Sequence, residues 1–214
     1  MQAMNLDFTT ISPRERYHFL TGFVGPRPIA LVTTRGTDGR DNAAPMSFFN
    51  VFSHDPALLL LGMQPRRDGR EKDSMANIRD TGVFVVNMVD MRLAHQMLVC
   101  GLDPGPDVDE IALAGLTAAE GAAVAAPRIA ESPCAFECRV ERIIDYPRRA
   151  IVFGEVVHFW VDDTCLAADG RSVDPGRYQP IARLHDDNYI ASDRQVQLLP
   201  PDLDELSAQR KAAP

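Results

Sequence analysis

Between Arg27 and Asn87 the chain is a succession of short apolar runs, cut in the middle by a polar segment that carries a proline. This alternation constrains the fold more than anything else in the sequence. Ile29-Ala30-Leu31-Val32-Thr33-Thr34 reads as a strand, and Thr37-Asp38-Gly39-Arg40 after it has the Asp-Gly signature of a tight hairpin turn. The return strand runs from about Asp41 to Phe52 and contains Pro45, which has no N–H to give a ladder. An edge, a bulge or a break is therefore expected there. It would release backbone groups around Ala44, Met46 and Ser47, and either solvent or a ligand with imide-like edges would satisfy them.

Ala57 to Met63 is almost wholly apolar, the pattern of a strand covered on both faces. After the charged loop 65–71, a helix begins at Asp73 or Ser74 and ends at Thr81-Gly82, with Met75 and Ile78 packed inward. Val83 to Val89 is another strand, and Leu93, Met97 and Cys100 recur at helical spacing. Upstream, Ser12-Pro13 with Glu15 forms a capping box for a short helix. Residues 101–132 show weak periodicity, with one turn of helix around Asp109 to Ala114. Ala135 to Ile144 and Ile151 to Val161 alternate as the two arms of a hairpin. Tyr178 to Leu184 is a short closing segment, and the polar tail from Pro200 carries an acidic helical pattern.

The chain has 214 residues, enough for one large mainly-β domain with a substantial core. Its boundaries are expected at 1–190, with 191–214 as a C-terminal extension. A net charge of -8 argues against nucleic acid, which requires a basic face. No basic leader precedes an apolar core, and no run of 18 apolar residues offers a membrane span, so the cytoplasm is the expected compartment. Cys100, Cys134, Cys138 and Cys165 make no CxxC pair and no zinc spacing, so reduced buried thiols are expected and no metal site.

The helix start at Lys72-Asp73-Ser74 is the strongest local chemistry. Unpaired amides and the macrodipole favour an anion there, at about 0.3–1 kcal/mol for each exposed contribution, and Lys72 adds a full charge. Ser74 offers a hydroxyl. Asp73 would repel an anion if it pointed inward, so it is expected to cap the helix or pair with Lys72 or an arginine. Arg66, Arg67 and Arg70 are further anion candidates.

In order and spacing, Arg27-Pro28 with its apolar strand, Asn42-Ala43-Ala44-Pro45-Met46-Ser47-Phe48-Phe49 and Lys72-Asp73-Ser74 followed by Asn77-Ile78 resemble the flavin reductase-like family of FMN-binding split barrels. The resemblance spans roughly residues 8–190. It implies a six-stranded antiparallel barrel of Greek-key type with peripheral helices, holding FMN non-covalently as a homodimer. Carried over residue by residue, it places the cofactor on Thr33, Thr34, Asn42, Ala44, Pro45, Met46, Ser47, Ser53, Lys72, Asp73 and Ser74. Asn42, Ser47 and Asn50 would serve the ring edge. Tyr189 can be matched in the closing segment, where Arg183-Leu184-His185-Asp186-Asp187-Asn188-Tyr189 lacks the family's glycine.

The implied activity is NAD(P)H-dependent reduction of flavin, with NADH or NADPH as donor and a monooxygenase as partner. No side chain is marked as catalytic, because the cofactor carries the chemistry. No GxGxxG follows a strand. The rival readings are an electron-transfer flavoprotein that retains its FMN, and a pyridoxamine-phosphate-oxidase-like oxidase.

Overall fold

A computed structural model of the chain describes residues 3–66, 68–102, 104–105, 108–200 and 202. Helix α1 (Pro13–Phe23) precedes strands β1 (Arg27–Pro28), β2 (Ala30–Arg35), β3 (Asp41–Met46), β4 (Phe49–His54) and β5 (Ala57–Met63). Helix α2 (Asp73–Thr81) leads to β6 (Val83–Met88), and α3 (Ala94–Cys100) and α4 (Glu110–Leu113) follow. The remaining strands are β7 (Ala118–Ala119), β8 (Arg128–Ile129), β9 (Cys134–Tyr146), β10 (Arg149–Val161), β11 (Ile181–Arg183) and β12 (Tyr189–Ala191). The acidic tail pattern beyond Asp202, and Arg67, lie outside the described residues.

The fold is mainly β, built on one large antiparallel sheet ordered β3-β2-β6-β9-β10-β5-β4. It has seven strands where six were expected, because the segment predicted to return as one strand from Asp41 to Phe52 divides in two. β3 pairs with β2, the chain bends at Ser47-Phe48, and β4 pairs with β5 at the opposite end of the sheet. The two end strands are thus neighbours in sequence. The sheet curls so that they meet, which gives an antiparallel barrel left open along one seam. β1, β11 and β12 form a small second sheet beside it.

Alternation along β2 divides the core, since successive side chains leave opposite faces of a strand. Ala30 and Val32 point into the barrel with Leu61, Phe84 and Val152, and α2 closes that core with Met75 and Ile78. Ile29 and Leu31 point outward beneath α3 and α4, against Val89, Met97 and Ile111. The expected start and stop signals are realised. Ser12 and Glu15 exchange the two bonds of a capping box, and Gly82 ends α2 at φ 70°, where glycine carries no side-chain penalty. All four cysteines are buried and free.

The irregular crossing of residues 120–127 is fastened by a buried charge. Glu137 on β9 is 1% exposed, and its carboxylate accepts from the amides of Ala122, Ala123 and Val124 at 2.8, 2.6 and 3.0 Å. His158 Nδ1 lies 3.2 Å from Glu137 Oε1 without hydrogen-bond geometry, so no directed bond joins the two. Burial by itself would raise the carboxyl's pKa, but the three amides and His158 outweigh it and hold the pKa below its ordinary value. A depressed carboxylate pKa stabilises the fold above the ordinary carboxylate range, and that contribution is lost as pH falls through the folded value. Glu137→Gln is expected to cost about 1–2 kcal/mol near neutral pH. It should also flatten the acid limb of stability, as read from urea midpoints across pH. An unchanged acid limb would mean that other carboxylates control it.

Candidate functional site

A cleft of about 690 Å³ opens where β3 turns into the Ser47-Phe48 bend, facing the start of α2. That size suits a drug-sized or nucleotide-sized ligand. Of the residues picked out by sequence, Asn42, Ala44, Pro45, Met46, Ser47, Lys72, Asp73, Ser74 and Tyr189 line it together. They come from three separate stretches, brought together by the barrel seam, α2 and the small second sheet.

The strand wall is built differently from the expectation. Ala43 N donates to Glu110 Oε2 at 3.4 Å instead of to β2. By antiparallel alternation, Ala44 and Met46 therefore keep their ladder positions opposite Val32 and Ala30. Pro45, opposite Leu31, falls where an N–H would point away from the sheet, so its missing donor costs the ladder nothing. Asn42 is 8% exposed, and its side-chain nitrogen has no hydrogen-bond partner. A buried polar group left in this state normally costs free energy, and a ligand edge in the cleft would satisfy it.

Beside β3, α2 begins with Lys72 in the N-cap position and no side-chain cap. Its first amides are left for an incoming anion, beside the Lys72 ammonium and the Ser74 hydroxyl. Asp73 pairs with Arg66, as the charge argument required, which removes its repulsion from the helix end. Met46, Met63, Pro65 and Leu98 supply apolar surface to the same cleft. An orphaned amide, an apolar lining and an open helix start fit the three demands of a phosphorylated flavin: a polar ring edge, a ring face and a phosphate.

Four predicted residues are not in this cleft. Thr33 and Thr34 are fully buried, and their hydroxyls are used within the fold. Thr33 donates to Pro127 O and accepts from Asn87 Nδ2, and Thr34 accepts from Asn77 Nδ2 at 3.0 Å. Asn50 and Ser53 travel with β4 to the other end of the sheet, where each turns to nearby backbone: Asn50 Oδ1 accepts from Val51 N, and Ser53 Oγ from Asp55 N. The sequence reading missed Tyr17, Glu110 and Cys100 in the cleft wall. Glu110 and Cys100 carry no motif, but Arg183 beside the matched Tyr189 had a signal. The two are directly paired across β11 and β12, with the guanidinium 5.4 Å from the ring centre.

Gly62 fixes the bend that shapes the cleft. It donates to Phe48 O at 2.7 Å, and a Cβ added to it would stand 2.9 Å from Phe48 Cβ, an atom that no rotamer change can move away. Gly62→Ala is expected to cost about 1–2 kcal/mol in stability and to weaken ligand binding several-fold. Thermal unfolding with and without FMN would measure both, and unchanged affinity would detach the bend from the site.

Residues 25–179 match the family model described as "Flavin reductase like domain". An uncharacterised protein of Aquifex aeolicus is 38% identical over 174 residues, covering 81% of this chain and 88% of that protein. Among solved structures, 2-nitrobenzoate 2-nitroreductase NbaA of Pseudomonas fluorescens superposes with a TM-score of 0.85 at 33% identity, covering 94% of this chain and 98% of that one. Nitrilotriacetate monooxygenase component B of Bacillus cereus gives 0.87 at 29% identity, covering 92% and 100%. With the split-barrel fold and the cleft at its seam, these likenesses establish that the chain belongs to the flavin reductase-like family, a family of flavin-binding oxidoreductases.

Proposed function

We propose that this protein is an NAD(P)H-dependent FMN reductase that works as a cytoplasmic homodimer and passes reduced flavin to a monooxygenase partner. The observation that carries the reading is the cleft's polar lining. The unpartnered amide of Asn42 and the uncapped α2 start with Lys72 and Ser74 line the same cleft. The likeness to nitrilotriacetate monooxygenase component B supports the partner class. Among the described residues no helix is long and apolar enough to cross a membrane.

In this reading the α2 amides, Lys72 and Ser74 hold the phosphate, and Asn42 and Ser47 orient the ring edge. Pro45 and Met46 cover part of one ring face and exclude water. Tyr189 and Arg183 line the same cleft, and in this reading a nicotinamide would approach beside them. When bound, FMN supplies the capacity to accept a hydride and pass electrons on; the protein supplies position and an environment of fixed charge.

The test is anaerobic. Purified protein is loaded with FMN and given NADH, then NADPH, while the flavin's visible absorption is followed. Bleaching well above the rate of free FMN is expected with at least one donor. Bound FMN that stays oxidised with both donors would leave the site standing and make the protein an electron carrier. The likeness to 2-nitrobenzoate 2-nitroreductase favours a second acceptor, a nitroarene, so 2-nitrobenzoate is added after bleaching to see whether it restores the oxidised spectrum.

A further inference from the structure

The small second sheet sets two guanidinium groups side by side. Arg27 on β1 is directly paired with Arg183 on β11, and Arg183 with Tyr189 on β12, so the three side chains stand in a row on one face. Like charges directly opposite each other destabilise a sheet. Neither charge is well neutralised. Arg27 is 9% exposed and gives its hydrogen bonds to the carbonyl oxygens of Thr21, Val24 and Leu184 at 2.5, 2.8 and 2.8 Å. Its Nε is unpartnered, and among the described residues no carboxylate pairs with it. Arg183 reaches Asp187 Oδ1 at 3.3 Å, but that carboxylate is fully exposed and water screens the pair.

The Arg183 guanidinium is fixed by its own turn and still has a donor to give. Nε and Nη2 donate to Asp186 O at 3.1 and 2.7 Å, and Nη1 has no partner among the described residues. Asp186 stands at φ 50°, a left-handed conformation unusual for a residue with a side chain, in the turn that supplies this carbonyl. Arg183 and Tyr189 line the cleft, and Tyr17 on α1 brings it a second ring. FMN has one phosphate, which the α2 start accommodates. The row is left for another anion.

We propose that Arg27, Arg183 and Tyr189 form a second anion subsite, which holds the phosphate or carboxylate of the flat molecule that exchanges electrons with the flavin. The proposal rests on the cleft being the flavin site with its phosphate at α2. Arg183 Nη1 and the Tyr189 ring make the direct contacts, and Arg27 acts through its uncompensated charge.

The experiment uses the full chain loaded with FMN and compares reactants that differ in charge. As electron donors, NADH is set against N-benzyl-dihydronicotinamide, which has the same reducing ring and no phosphate. As acceptors for the dithionite-reduced protein, nitrobenzoate is set against nitrobenzene. Half-saturating concentrations are read from anaerobic stopped-flow traces of the flavin absorption. The charged member of at least one pair should saturate at the lower concentration, and Arg183→Gln should cut that advantage about tenfold. A cut with NADH alone identifies a dinucleotide phosphate as the anion, and a cut with nitrobenzoate alone identifies a carboxylate. An advantage unchanged in both pairs would overturn the proposal. So would a loss of FMN affinity that riboflavin does not share, because Arg183 would then serve the flavin phosphate.

Asp187→Asn keeps an oxygen for Nη2 and removes the exposed counter-charge, so it should strengthen the charged reactant about twofold at low ionic strength. Should R183Q not fold, an advantage that D187N leaves unchanged would overturn the proposal. If the protein binds neither FMN nor riboflavin, the reductase reading fails and the proposal falls with it. If FMN binds and is reduced without any discrimination by charge, the proposal alone falls.

Discussion

Replacing Lys72 and Ser74 together with alanine is expected to weaken FMN binding roughly a hundredfold while riboflavin binding changes by less than about threefold. The two ligands differ only at the phosphate, so the comparison isolates the α2 end of the cleft. A hydrogen bond to a charged group contributes about 1.5–3 kcal/mol, and about 1.4 kcal/mol corresponds to tenfold in affinity. Losing the Ser74 donor and the Lys72 charge together therefore amounts to about two orders of magnitude, with the helix amides left to hold what remains. Asp73 stays paired with Arg66 in the variant, so the loss is not masked by a freed carboxylate. Titration by fluorescence quenching at fixed ionic strength would measure it. An equal loss for both ligands would place the phosphate elsewhere.

The second large effect belongs to the barrel interior. Phe84 on β6 is completely buried, and its ring reaches across to β10, where Gly154 leaves the space it fills. A Cβ at Gly154 would lie 2.3 Å from Phe84 Cζ and 3.1 Å from Cys138 Cβ. Phe84→Ala should cost about 3–5 kcal/mol, since the ring leaves a cavity that strands on either side cannot collapse to fill. Gly154→Ala should cost about 1–3 kcal/mol for the opposite reason, overpacking. The two are one contact, so their energies should not add. Gly154→Ala in a Phe84→Leu background should be cheaper by about 1 kcal/mol than in the wild type, measured by urea unfolding. Strict additivity would mean that the glycine is needed for backbone reasons and not for the ring.

What the sequence made legible is what local rules write down. The capping box at Ser12, the Asp38-Gly39 turn, the α2 bounds with their Gly82 stop and the β9–β10 hairpin depend on neighbours in the chain, and the structure has them. The helix start that lines the cleft was legible for the same reason, since helix start and stop signals are local. Thr33 and Thr34 show the limit. Their positions on β2 were right, but whether a hydroxyl meets a ligand or a neighbouring chain segment depends on Asn87, Asn77 and Pro127, which lie far away in sequence. Asn50 and Ser53 were lost by a single bend. Read as part of one strand they belong beside Ser47, but the turn at Ser47-Phe48 carries them across the sheet. Glu110 sits in an Ala- and Gly-rich stretch without periodicity, and only the packing of α4 on β3 gives it meaning.

The meeting of β3 and β4 at a two-residue bend has a consequence for how such a protein can diversify. The central pairings, β6 with β9 and β9 with β10, lie apart from the cleft, whose lining includes an edge strand, a bend, a helix start and two short strands. Substitutions at those peripheral positions alter what is held while the central ladders stay intact, whereas Gly62 and Met63 on β5 tie part of the lining to the core. A scaffold of this kind keeps stability and chemistry largely in separate hands, which suits a lineage whose relatives include a nitroreductase and a monooxygenase component.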